Sequence, residues 1–413
     1  MRSGLILILC VLPFTPGGFC RDHGSETVKR ISAVEHGLLR KFGDPSRKRT
    51  DLSERMGYYH TPGVSIAVID NFEIEWAKGY GVLAAGSDKP VTPTTLFQAA
   101  SVAKSVVAVA ALHQVDNGAL ALDQEVNRSL VSWRLPDNEF TALGAVTLRR
   151  LLSHNAGVTV GGFQGYVRGE EIPTLRQILD GERPANSPPI RVNIVPGTQE
   201  RYSGGGYMIV QQLLEDVVGR PFADIMQNTV LGPWGMTSAT FESPLPEHLE
   251  ASAASGHRAD GAIIPGGWHV YPELGSGASL WVSASDLARF AIKVMRISGG
   301  QSDPVLSHEM AVQMLTPQTG NRGLGLSVFD DGDDLFYFMH NGSNEGYRSV
   351  MVAYPRRGQG VVILTNGDNG EALWREILNG VSAEYGWSRN RTFLYAGVVI
   401  GIVAVVLGLV ALL

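Results

Sequence analysis

The sequence predicts an α+β domain in which one antiparallel sheet is built from both chain ends and flanked by helices, with a helical subdomain inserted between. Three observations lead to that class. Short β-rich runs bounded by turn residues lie near the start, at 63–69 and 74–82, and again near the end, at 335–339, 347–354 and 360–365. The intervening chain carries apolar residues at helical spacing over 106–116, 148–152, 207–218 and 285–297. No internal repeat divides the body, and the Pro- and Gly-rich stretches 183–198 and 255–279 read as loops beside a cleft. Strands from both ends can share one sheet only if the middle of the chain folds over it, which is the layered arrangement expected.

In chain order, the first element is a leader. Arg2 is followed by an apolar run over 5–12 and by turn-forming residues over 13–18, the pattern of a signal peptide at 1–20, too short to cross a bilayer alone. Export of the rest of the chain follows. Both cysteines, Cys10 and Cys20, fall in this leader, so the remainder can form no internal disulfide, Cys-based metal site or cysteine nucleophile. Over 26–56, Val28, Ile31, Val34, Leu38, Leu39 and Phe42 recur at helical spacing and predict an amphipathic N-terminal helix. The strand pair at 63–82 turns at Asp70-Asn71, and the last strand is followed by a helical segment at 374–378. The folded body is therefore expected over 26–385. From 393 to 413 no residue is charged, and at 1.5 Å per residue that run makes about 31 Å, the thickness of a hydrocarbon core. A C-terminal transmembrane helix is expected there. Arg389 and Arg391 precede it, against the positive-inside tendency for an exported body. A GPI-attachment signal has the same composition, and either version tethers the protein.

The composition excludes whole classes. A chain of 413 residues with 44% hydrophobic and 18% charged residues builds a large core, which rules out disorder. The net charge of −6 gives no reason to expect a nucleic-acid partner.

The chemistry-bearing residues begin with Ser101-Val102-Ala103-Lys104, leading into an Ala/Val-rich helix. Residues three apart share a helix face, so the lysine amine reaches the serine hydroxyl. Serine needs a base to act as a nucleophile, and a lysine held against an apolar helix can supply one. The helix N-terminus favours developing negative charge. One Ser-x-x-Lys arises by chance in a chain about this long, so the pair gains weight only from what accompanies it. Tyr202 lies in the glycine-dense run 202–207, where backbone can approach a substrate closely. His340-Asn341-Gly342-Ser343 stands at the end of a predicted strand, where the glycine bares an edge.

Ser-x-x-Lys, Tyr and His-x-Gly in this order resemble the class C β-lactamase and penicillin-binding serine hydrolase family. Thr95-Leu96-Phe97, 151–157, 231–237 and 283–288 resemble it too, so the likeness runs from about residue 61 to 368. It implies a β-lactamase/transpeptidase-like fold. Ser101 would be acylated, Lys104 and Tyr202 would shuttle the proton, and the backbone N–H groups of Ser101 and Ser343 would hold the oxyanion. No metal or organic cofactor is implied, and the partners are a small-molecule or peptide substrate and the membrane.

Two departures bear on specificity. Where β-lactamases and transpeptidases of this family carry Lys-Thr-Gly, this chain has His340-Asn341-Gly342, and a histidine near neutral pH holds a substrate carboxylate only in part. Gly204 replaces the asparagine that would bind an acylamide side chain. Both changes favour an esterase, or a peptidase acting on D-amino-acid peptides, over a β-lactamase or penicillin-binding carboxypeptidase. A sensor acylated without turnover is the alternative from another class. His154-Asn155 reads as structural, holding a turn.

Overall fold

The computed structural model describes residues 23–39, 49–332 and 335–387. The leader at 1–20 and the apolar tail at 393–413 lie outside the described residues. Among the described residues no helix is long and apolar enough to cross a membrane.

The chain opens with α1 (His23–Glu35), a short pairing of β1 (Leu38–Leu39) with β2 (Arg49–Thr50), and α2 (Leu52–Tyr58). The single helix expected over 26–56 is thus two helices. The break falls at Gly37, where any Cβ would lie 2.1 Å from the Ala33 carbonyl oxygen, and the chain then turns extended to pair across the gap. Next come the hairpin β3 (Gly63–Asp70) and β4 (Glu73–Gly81), then β5 (Phe97–Gln98) and α3 (Ala103–Asp116). The hairpin turns on Asn71 and Phe72, both at positive φ, as a two-residue turn with the twist of its strands requires.

The inserted region holds α4 (Leu148–Leu152), α5 (Leu175–Asp180), α6 (Gly204–Val218), α7 (Phe222–Met226) and α8 (Glu247–Glu250). It closes with β6 (Trp281–Val282), α9 (Ala284–Ser298) and α10 (His308–Met314). The chain then completes the sheet with β7 (Ser327–Asp330), β8 (Phe336–Asn344), β9 (Tyr347–Tyr354) and β10 (Gln359–Thr365), and ends on α11 (Gly370–Glu384).

The main sheet is wholly antiparallel, in the order β4-β3-β10-β9-β8-β7. Its centre is the pairing of β3 with β10, Val64 opposite Thr365, so both chain ends do build one sheet. Both faces are covered. Val64, Ile66, Val361 and Ile363 point to a layer with Leu373, Trp374 and Ile377 of α11. Their neighbours Ala67, Val362 and Leu364 point the other way, to α9 and the large helical core. A two-sided strand needs no polar alternation, and β10 accordingly reads as the unbroken run Val361-Val362-Ile363-Leu364. Helix α3 is buried all round, from Val106 to Leu112, as its Ala/Val composition allows.

Beneath α11, Arg55 of α2 donates to both oxygens of Glu376, at 2.7 and 2.8 Å, and the Tyr59 hydroxyl donates to the same carboxylate at 2.8 Å. Both charged side chains are 5% exposed. Removing one partner strands the other charge. We therefore expect Glu376→Gln to destabilise the protein by about 3 kcal/mol, and Arg55→Met with Glu376→Leu to recover most of that. Denaturant unfolding of the three proteins checks this; a loss under about 1 kcal/mol for Glu376→Gln contradicts it.

Candidate active site

Ser101 stands on a 3-10 turn, Ala100–Val102, that runs straight into α3. The turn is set by Ala100, whose φ of +48° lies in the left-handed region. An L-residue there costs about 1–2 kcal/mol, so the surroundings must hold it. They do so from two sides. Ala99 donates its N–H to the Leu280 carbonyl at 2.9 Å, and its own carbonyl accepts from the Ser349 hydroxyl at 2.6 Å. Upstream, Phe97 and Gln98 of β5 pair with Val282 and Trp281 of β6.

Lys104 lies one helical turn on and is buried. Its Nζ donates to Ser101 Oγ at 3.1 Å and to the backbone carbonyl of Ser276. The sequence showed no sign of the second contact, because any residue type supplies a carbonyl. Gly277, at φ +83°, lets that loop press against α3: a Cβ there would stand 3.0 Å from the Lys104 nitrogen of the backbone.

On the far side of Ser101 runs β8. The expected strand ended at Met339; the observed one continues through His340, Gly342 and Ser343 to Asn344. Neighbouring β7 pairs with β8 only up to Met339, so beyond it β8 has β9 on one side and the Ser101 turn on the other. Gly342 makes that approach possible. A Cβ on it would fall 2.2 Å from the Ala99 carbonyl oxygen and 3.0 Å from the Ala100 Cβ. Ser343, next on the strand, lines the adjoining cleft.

His340 is neither at a strand end nor partly cationic. It is buried inside β8, and burial, reinforced by the positive Lys104 and Arg322, pushes its pKa down to about 3. The ring is neutral at physiological pH. Its Nδ1 sits 2.7 Å from the Asn341 carbonyl, which can only accept, so Nδ1 carries the proton and Nε2 offers a lone pair.

Tyr202 sits just ahead of α6, whose cap Ser203 accepts from the Gly206 N–H. Lys104 meets the face of the tyrosine ring, its Nζ 5.1 Å from the centroid. Behind the ring, His154 packs with its centroid 4.2 Å away, the two rings tilted by 36°, and accepts the Ser203 N–H at 3.1 Å through Nδ1. Burial holds His154 well below the usual imidazole range, so it stays neutral. The backbone carbonyls of His154 and Asn155 take the N–H groups of Arg201 and Gly197, both at 2.8 Å. The segment 154–155 therefore holds the tyrosine loop.

Gly204 opens α6, and a Cβ there would approach Phe163 Cε2 to 3.1 Å. The place of an amide side chain is thus walled by an aromatic ring. Phe163 lines a cleft of about 540 Å³ together with Asn186, His269, Tyr271, Ser343 and Arg348. Phe163 and Arg322 carried no motif and were not anticipated from sequence.

The profile of the family described as Beta-lactamase matches residues 49–379. The chain belongs to that family, and its class is that of the serine hydrolases. Among curated relatives, it is 28% identical to penicillin-binding protein 4 of Amycolatopsis lactamdurans, over 78% of this chain and 86% of that one. It is 27% identical to the unguisins hydrolase ungD' of Aspergillus campestris, over 76% of this chain. The match spans 60% of the ungD' protein, and likewise 60% of the Staphylococcus aureus protein flp, which is 21% identical. Two solved structures share the fold. The D-amino acid amidase of Ochrobactrum anthropi SV3 superposes with TM-score 0.66 at 19% identity, over 88% of this chain and all of that one (100%). The octameric penicillin-binding protein homologue of Pyrococcus abyssi superposes with TM-score 0.64 at 24% identity, over 79% of this chain and 75% of that one.

One buried acid shares the loop that touches Lys104. Glu273 has no exposed surface, and among the described residues neither carboxyl oxygen has a hydrogen-bond partner. Burial pushes its pKa from 4.5 up to about 8. The folded protein thus keeps a proton that the unfolded chain releases above 4.5. That contribution to stability is complete below pH 4.5 and is lost as pH rises towards 8. We expect Glu273→Gln to gain Tm over the parent progressively between pH 4.5 and 8; a constant difference across that window contradicts the assignment.

Proposed function

We propose that this chain hydrolyses a carboxylic ester or amide through an acyl-enzyme on Ser101, outside the cytoplasm and tethered to a membrane by residues 393–413. The observation that carries the chemistry is the 3.1 Å contact between Lys104 Nζ and Ser101 Oγ, on a strained turn pressed against an open strand edge.

With Lys104 as the free amine, its lone pair takes the Ser101 proton as Oγ bonds to the substrate carbonyl carbon. The carbonyl electrons move onto oxygen, where the backbone N–H groups of Ser101 and Ser343 face them. The tetrahedral intermediate collapses as its C–O or C–N bond breaks. Tyr202 and Lys104 pass the proton to the departing alcohol or amine, leaving an ester on Ser101. Water then adds to that ester, gives its proton back through the same pair, and releases the acid. Neutral His340 offers an acceptor rather than a cation, and Phe163 stands where an amide would bind, so an uncharged acyl group fits this site better than a β-lactam carboxylate.

Ser101→Ala should abolish both turnover and labelling by a fluorophosphonate, and Lys104→Ala should slow acylation by several powers of ten. Intact-mass analysis showing full labelling of Ser101→Ala, or a loss under about tenfold for Lys104→Ala, removes the assignment.

The tether rests on the uncharged tail and the export on the leader. Full-length protein should sediment with membranes and resist release by salt or alkaline carbonate. A chain ending at Trp387 should stay soluble and equally active on a small ester. Release by a phosphatidylinositol-specific phospholipase selects a lipid anchor; full-length protein in the soluble fraction contradicts the tether.

A further inference from the structure

Among the described residues two basic side chains stand over the Tyr202 ring: Lys104, and Arg322, whose guanidinium carbon is 5.7 Å from the centroid. Lys104 is committed to Ser101 and to the Ser276 carbonyl. Arg322 touches neither. It is fixed from its backbone outwards. Its N–H donates to the Thr319 carbonyl at 2.8 Å, and its own carbonyl accepts from Gln318 at 2.6 Å. Its Nη1 donates to the Ser327 hydroxyl at 2.8 Å. Its charge reaches the site, for it helps to hold both His154 and His340 neutral.

A fixed guanidinium beside the catalytic tyrosine is what a substrate carboxylate would seek. Here the chain supplies a carboxylate of its own. Glu200, two residues ahead of Tyr202 on the same loop, accepts from Arg322 Nε at 2.7 Å. The opposing turn is shaped to admit it: Gly320, at φ +50°, has no side chain to crowd the second oxygen, which would lie 3.2 Å from a Cβ there. With His340 uncharged, the guanidinium over the Tyr202 ring is already answered by a carboxylate.

We propose that the Glu200–Arg322 pair is a specificity gate that selects uncharged acyl groups and excludes those bearing a carboxylate. This rests on the reading of Ser101 as the acylated nucleophile. A carboxylate entering beside Tyr202 meets the Glu200 charge before it can use Arg322, so repulsion cancels the attraction. The pair is monodentate, through Nε alone, so the outer guanidinium nitrogen keeps donors that would serve a substrate once Glu200 lost its charge. The side chains of Arg322 and Glu200 are 22% and 35% exposed, so water and salt limit the effect to about a tenfold discrimination.

Glu200→Gln tests this, because its amide oxygen can still accept from Arg322 Nε while the charge is gone. The reading is the ratio of kcat/KM for the mono-para-nitrophenyl ester of succinate to that for para-nitrophenyl butyrate. Each variant serves as its own reference, so a poorly folded fraction cancels. The gate predicts a ratio about tenfold higher in Glu200→Gln than in the parent, shrinking in molar salt and absent in Glu200→Gln with Arg322→Gln. A ratio within twofold of the parent, in an enzyme that cleaves the butyrate, overturns the gate alone. If the parent cleaves neither ester, the hydrolase reading falls and takes the gate with it.

Discussion

Everything in this site depends on how closely a strand can pass a turn. Strand β8 runs against Ala99 and Ala100 with no room for a side chain at position 342. From that contact follows the course of β8 past the Ser101 turn, beyond the point where its pairing with β7 ends. It also lets Ser349 reach across to hold the Ala99 carbonyl. The left-handed Ala100 is tolerated because it is clamped between this sheet and the β5–β6 pair. Strain at a nucleophile is expensive, and here the cost is met by a packed interface rather than by local sequence preference.

The electrostatics are as economical. The two histidines near the nucleophile are buried and neutral. One presents a lone pair from a strand, the other packs under the tyrosine and anchors its loop. Neither acts as a charge. The two basic groups over the tyrosine ring are a lysine spent on serine and a carbonyl, and an arginine spent on a glutamate. Charges fixed in this way by carbonyls and carboxylates are already answered before any substrate arrives.

Much of this was legible in the sequence because the signals are local and periodic. Helix α4 was read at its observed bounds and β9 likewise, and β3 and β10 within a residue, since buried strands and helices betray themselves by apolar runs between turn residues. Ser101, Lys104, Tyr202 and His340 were singled out by motif, and the fold brings these four together. What escaped was either short or contextual. The strands β5 and β6 have two residues each and are defined by their partners, each other and Thr240. Gly37 ends the first helix at a close backbone approach that only a residue without a Cβ permits. The Ser276 carbonyl is chemically anonymous, and the charge state of His340 follows from burial and neighbours distant in sequence.

The central pairing of β3 with β10 has a consequence for how the protein comes into being. Gly63 and Asn366, which hydrogen-bond at the end of that pair, are 303 residues apart. The first hairpin must wait for the last strand, and β8, which props the nucleophile turn, is also late to arrive. Contacts this remote in sequence close slowly and leave apolar edges bare meanwhile. A nascent chain of this topology cannot complete the sheet beside Ser101 until nearly the whole domain has been made.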